Sequence, residues 1–104
     1  MTRPDPETIE TMADLRACID QIDSALVALL AERERFTDRA PELKARERIA
    51  ANAPRRVAAV LTSVRDKAER HGLDPDLAER LWRIMIDTVI AREEAIIGKG
   101  GKDG

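Results

Sequence analysis

Residues 13–46 read ADLRACIDQIDSALVALLAERERFTDRAPELKAR, and the rest of the chain is organised around them. Apolar side chains recur at Leu15, Ile19, Ile22, Leu26 and Leu29, then at Phe36, Ala40 and Leu43. The steps alternate between four and three residues, the spacing of a helix face that packs along its whole length. One position breaks the series: Arg33 stands between Leu29 and Phe36, where the seam calls for a hydrophobe. Lys44 follows eleven residues later, three helical turns on, so along a continuous helix it projects in line with Arg33. Arg16 borders the same seam near its start. Either the seam holds one polar layer that sets its register, as buried polar groups do in coiled coils, or these cations meet an acceptor. A buried guanidinium needs a bidentate acceptor. Glu34 lies on the wrong face to supply it, so the acceptor comes from another helix or from a ligand.

The composition agrees with a helical reading. A chain of 104 residues suffices for one domain with one modest core. Hydrophobic residues make up 43% but aromatics only 2%, so the core is built from Leu, Ile, Val and Ala, which suits helix-on-helix packing. Charged residues are 37%, a mix that reads as long helices. One copy of such a chain leaves much of its apolar face uncovered, which predicts an oligomer. The net charge is −2, with Lys and Arg spread along the whole chain, which argues against a nucleic-acid surface. The single cysteine, Cys18, permits no internal disulfide and reads as a small core residue. No apolar run approaches the ~18 residues of a membrane span. Residues 1–10 are polar and acidic, with Pro4 and Pro6, and lack the layout of a secretory leader. The reading is a cytoplasmic protein, bound to neither membrane nor nucleic acid.

Residues 1–12 read as a flexible arm, 13–97 as one helical domain and 98–104 as a disordered tail. Thr11 is placed to cap the first helix, with Asp14 three residues later. Pro41 removes the hydrogen bond to the Thr37 carbonyl and clashes with it, so a bend is expected near residues 37–41 with the helix resuming afterwards. Residues 47–53 form a break. Pro54 suits the first position of a second helix, which ends at His71 with Gly72 beyond it. Asp74 and Pro75 form a cap and first turn for a third helix running to about residue 97. That helix carries two apolar rows, one through Leu77, Leu81 and Ile84, the other through Trp82, Ile86 and Ile97. Glu93 falls within the second row, either as an ion-pair partner for Arg33 or Lys44 or as a ligand contact. His71 is a helix-end residue without an assigned role. No metal-ligand spacing, phosphate loop or nucleophile–base pair is present in the sequence. Arg16 and Arg33 stand ~25 Å apart on one straight helix, so they converge on one small ligand only if Arg16 comes from a second, antiparallel copy.

These residues resemble the all-helical chorismate mutases, and within them the branch close to the isochorismate pyruvate lyases. The matching stretches are Asp14, Leu15 and Arg16, then Ile19 to Asp23, Leu29 to Arg33, Leu43 with Lys44, Ala53 to Leu61, and His71 to Asp74 ahead of the long last helix. Their order and spacing together are specific, and they span about residues 13–97. The resemblance implies an all-α, three-helix chain with one long N-terminal helix, assembled as an intertwined homodimer. It implies that Arg33 and Lys44 of one chain, with Arg16 of the other, bind the carboxylates of a small dicarboxylate substrate. Lys44 also reaches the ether oxygen, and Glu93 donates a second hydrogen bond to it. Arg55, Arg56 and Val89 fall at further substrate-binding positions. The implied reaction is the pericyclic rearrangement of chorismate to prephenate, with no metal and no cofactor. The alternatives are elimination of pyruvate from isochorismate, or a non-catalytic helical dimer acting as a binding module. The chain departs from the family pattern at several points. Glu93 stands where many relatives have glutamine, Arg55 where glutamate is common and Val89 where some mutases have serine. Pro41 replaces a small residue, and the connection from Lys44 to Pro54 is short, as in the lyase branch.

Overall fold

The computed structural model describes residues 3–104; Met1 and Thr2, the start of the expected arm, lie outside the described residues. All regular structure among them is helical: a short 3₁₀ turn at Pro6–Thr8, then α1 Met12–Thr37, α2 Ala40–Glu47, α3 Pro54–His71 and α4 Pro75–Ile97. The chain forms two compact units, one ending at Phe36 and the other starting at Thr37.

The first unit is essentially α1. The Asp14 amide donates to the Thr11 hydroxyl at 3.1 Å, closing the helix start as expected for a threonine cap. No residue of α1 is buried. Leu26, Leu29 and Phe36 are 52%, 62% and 73% exposed, so the apolar seam read from the sequence is uncovered within the single chain. Cys18, expected in a core, is half-buried.

The expected bend is a full interruption. Asp38 and Arg39 form a turn, and α2 begins at Ala40 with Pro41 in its first turn, where a missing N–H costs nothing. The long first helix is thereby divided in two. The in-line projection of Arg33 and Lys44 assumed unbroken helix geometry, and it no longer follows once the helix is interrupted between them. Glu42 pairs with both Arg39 and Arg46 on the exposed side of α2.

In the second unit α3 packs on α4. Val64 and Ala68 of α3 meet Ala78 of α4, with Val60 and Trp82 against them. Burial of Leu61, Val64, Ala68 and Ile86 follows one face of each helix, as the apolar spacing predicts. The other row of α4 is exposed, with Ile84 at 66%. The helix ends are set locally. Gly72 has φ +73°, its amide donates to Glu69 O and that of Leu73 to Ala68 O, a Schellman motif. The Asp76 amide donates to Asp74 Oδ1 at 2.9 Å, capping α4. Arg65 of α3 reaches Asp76 at 2.9 Å and Glu79 at 3.8 Å on α4. The hydrogen bond to Asp76 holds the Arg65 guanidinium further above its ordinary range.

The expectation of a disordered tail is corrected. Ile49 and Lys102 form a parallel bridge, and the Asp103 carboxylate accepts from the Arg55 amide at 3.2 Å. Main-chain hydrogen bonds, which need no apolar side chains, hold this segment. Among the described residues no helix is long and apolar enough to cross a membrane.

Candidate active site

Lys44 lies on the last turn of α2 and is tied down through both its main chain and its side chain. α2 ends in a second Schellman motif, closed by Arg48 in the left-handed region at φ 58°. The Ile49 amide donates to the Lys44 carbonyl at 2.9 Å, so the chain folds back over Lys44 as the helix ends. The Lys44 ammonium then donates to the Ala51 carbonyl at 2.9 Å and to Glu93 Oε1 at 2.6 Å. Ala50, Ala51 and Ala53 of this connection are buried.

Glu93 is the buried acid of the second unit, 3% exposed on an otherwise apolar row of α4. Removing a carboxylate from water is costly unless a cation and hydrogen bonds accompany it, and Lys44 supplies both. The Lys44 side chain itself keeps 22% exposure. An ammonium has three protons to donate. Two are engaged by Ala51 and Glu93, so one remains for an acceptor from outside the protein.

The other expected site residues are placed as follows. Val89 lies half-buried on α4, one turn before Glu93 and on the same face. Arg55 is 90% exposed at its side chain, with Nε 3.6 Å from Asp103. Arg56 is exposed on the first turn of α3. Arg16 and Arg33 both belong to α1, the former exposed and the latter half-buried. The structure therefore brings Lys44 and Glu93 together directly. It ties Arg55 to the chain's own C-terminal segment. The Ala51 carbonyl was invisible to sequence reasoning, because every residue has a carbonyl and nothing in a side-chain pattern marks one. An open cleft of ≈ 470 Å³ along α3 and α4, lined by Leu61, Arg65, Glu79 and Arg83 among others, includes neither Lys44 nor Glu93.

The family model for chorismate mutase type II matches residues 15–94. The chain is 39% identical over 88 residues to an isochorismate pyruvate lyase from Pseudomonas aeruginosa, covering 85% of this chain and 86% of that protein. It is 29% identical over 79 residues to a chorismate mutase from Methanocaldococcus jannaschii, covering 76% of this chain and 80% of the relative. A T-protein from Enterobacter agglomerans is 37% identical over 75 residues, 72% of this chain but only 20% of that longer protein. An all-helical chain, matched by the family model over most of its length, belongs to the chorismate mutase type II family.

Proposed function

We propose that this chain catalyses the rearrangement of chorismate to prephenate. The observation that carries the reading is the Lys44 ammonium, fixed by Ala51 and buried Glu93 with one proton still to give. In the rearrangement the ether C–O bond breaks while a C–C bond forms from the enolpyruvyl methylene to the ring. Negative charge gathers on the ether oxygen as the bond lengthens. A preorganised cationic donor stabilises that charge more than it stabilises the ground state. A millionfold acceleration requires only ~8 kcal/mol, within reach of a few such donors together with restriction of the substrate to its reactive conformer. Glu93, when protonated, gives the same oxygen a second donor. Arg33, and Arg16 of a second copy, take the substrate's carboxylates.

A second reading is favoured by the 39% identity to the Pseudomonas aeruginosa lyase. Elimination of pyruvate from isochorismate also breaks an enolpyruvyl ether bond and also loads charge onto its oxygen, so the same Lys44 serves. Turnover assays with each substrate decide between them. Prephenate from chorismate supports the first reading, and salicylate with pyruvate from isochorismate replaces it with the second. Failure on both leaves a helical binding module.

The composite site requires a homodimer, and the uncovered seam of α1 supports one, since single-chain folding leaves Leu26, Leu29 and Phe36 in water. Sedimentation is expected to give a dimer at micromolar protein. Arg16→Ala and Arg33→Ala proteins, each inactive alone, are expected to regain activity on subunit exchange, because one site of the mixed dimer then carries neither change. A folded monomer, or no recovery on mixing, overturns the shared site.

A further inference from the structure

Residues 101–103 run beside the connection that leaves α2. The Ala50 amide donates to Lys102 O at 2.8 Å, and the Lys102 amide donates to Arg48 O at 2.9 Å. One residue on, the Asp103 carboxylate accepts from the Arg55 amide at 3.2 and 3.4 Å. That amide belongs to the first turn of α3, whose N–H groups have no partner within the helix. Asp103 therefore supplies the cap that Ala53, with no polar side chain, cannot, and it sits at the positive end of the helix dipole. Gly101 makes the approach possible. A Cβ there would stand 2.6 Å from Ala50 N and 2.8 Å from Ala50 Cα, at φ +119°, so only glycine fits. The segment thus grips the connection at both ends, at residues 48–50 and at Arg55. Between the two grips lies Ala51, whose carbonyl holds the Lys44 ammonium at 2.9 Å.

We propose that residues 101–103 are a positioning element for Lys44: they clamp the connection between α2 and α3 and thereby fix the Ala51 carbonyl that orients the ammonium. The catalytic consequence rests on the reading of Lys44 given above. Without the clamp the ammonium keeps Glu93 alone, and its remaining protons lose their fixed direction. A displacement of about 1 Å at a reacting centre is enough to cost up to about a hundredfold in rate.

The test compares the full chain with a chain ending at Gly98, with Gly101→Val, with Asp103→Asn and with Lys99→Ala. Three readouts are taken: amide exchange at Ala50, the nitrogen-15 signal of the Lys44 ammonium, which is observable only while its protons are held, and steady-state kinetics. Truncation and Gly101→Val are expected to expose the Ala50 amide and broaden the ammonium signal. They are expected to lower kcat about tenfold with KM changed by no more than about twofold, because the arginines still hold the carboxylates. Asp103→Asn, which keeps one acceptor oxygen, falls between, and Lys99→Ala matches the full chain. If truncation leaves the ammonium signal and kcat unchanged, the proposal is overturned, whether or not the Ala50 amide opens. If the shortened chain does not fold, Gly101→Val and Asp103→Asn decide by the same signals. A full chain inactive on both substrates ends the catalytic reading, while the ammonium signal still decides the positioning.

Discussion

Lys44→Ala lowers turnover by about two to three orders of magnitude, the cost of deleting one preorganised donor to a developing oxyanion. It also weakens the fold, because Glu93 at 3% exposure then has no cation beside it. Breaking a fully buried pair costs about 3–5 kcal/mol; with Lys44 itself 22% exposed the expected loss is nearer about 2 kcal/mol. The two effects separate experimentally. Urea unfolding followed by circular dichroism gives the stability, and kcat/KM measured well below the midpoint gives the chemistry. Lys44→Met, which keeps most of the stem, restores packing and part of the stability without restoring turnover. A Lys44→Ala protein of wild-type kcat/KM that has lost only stability reduces Lys44 to the counter-ion of Glu93.

Glu93→Gln is expected to retain activity. An ether oxygen only accepts hydrogen bonds, so Glu93 donates to it only while carrying a proton. An ionised carboxylate at that place repels the charge that the reaction builds. Glutamine keeps an NH₂ donor at every pH, and its carbonyl still accepts from Lys44, which now meets Glu93 Oε1 at 2.6 Å. The check is kcat and KM for both proteins on the preferred substrate. An inactive Glu93→Gln protein removes Glu93 from the ether oxygen and leaves it the partner that holds Lys44 in place.

The parts of this fold that were legible in the sequence are those decided within a few residues. Thr11, Pro54, Gly72 and the Asp74–Pro75 pair each mark a helix end by their own conformational preference, and the structure has helix ends at all of them. Pro41 announced a bend by the same local logic, and the structure has an interruption there. The Lys44–Glu93 pair was legible in kind. An acid on an apolar row has to meet a cation, and Glu93 does, but choosing Lys44 over Arg33 requires tertiary structure. The alignment of Arg33 with Lys44 does not follow from the geometry of one helix, because a turn separates α1 from α2. The C-terminal segment was missed for a different reason. Its glycines and lysines have no apolar face to count, whereas its order comes from main-chain hydrogen bonds and from the space a missing Cβ leaves at Gly101.

The packing of Trp82 against Val64, Ala68 and Ala78 has a spectroscopic consequence. The chain has one tryptophan and no tyrosine, so indole emission comes from a single place, the α3–α4 core. Helix α1 contributes nothing to that light, yet with 26 residues it contributes heavily to far-ultraviolet circular dichroism. The emission therefore reports the second unit alone, whereas the dichroism reports the helices of both units. Coincident melting curves report that α1 and the α3–α4 core come apart together, and separated curves resolve which yields first, with no label introduced.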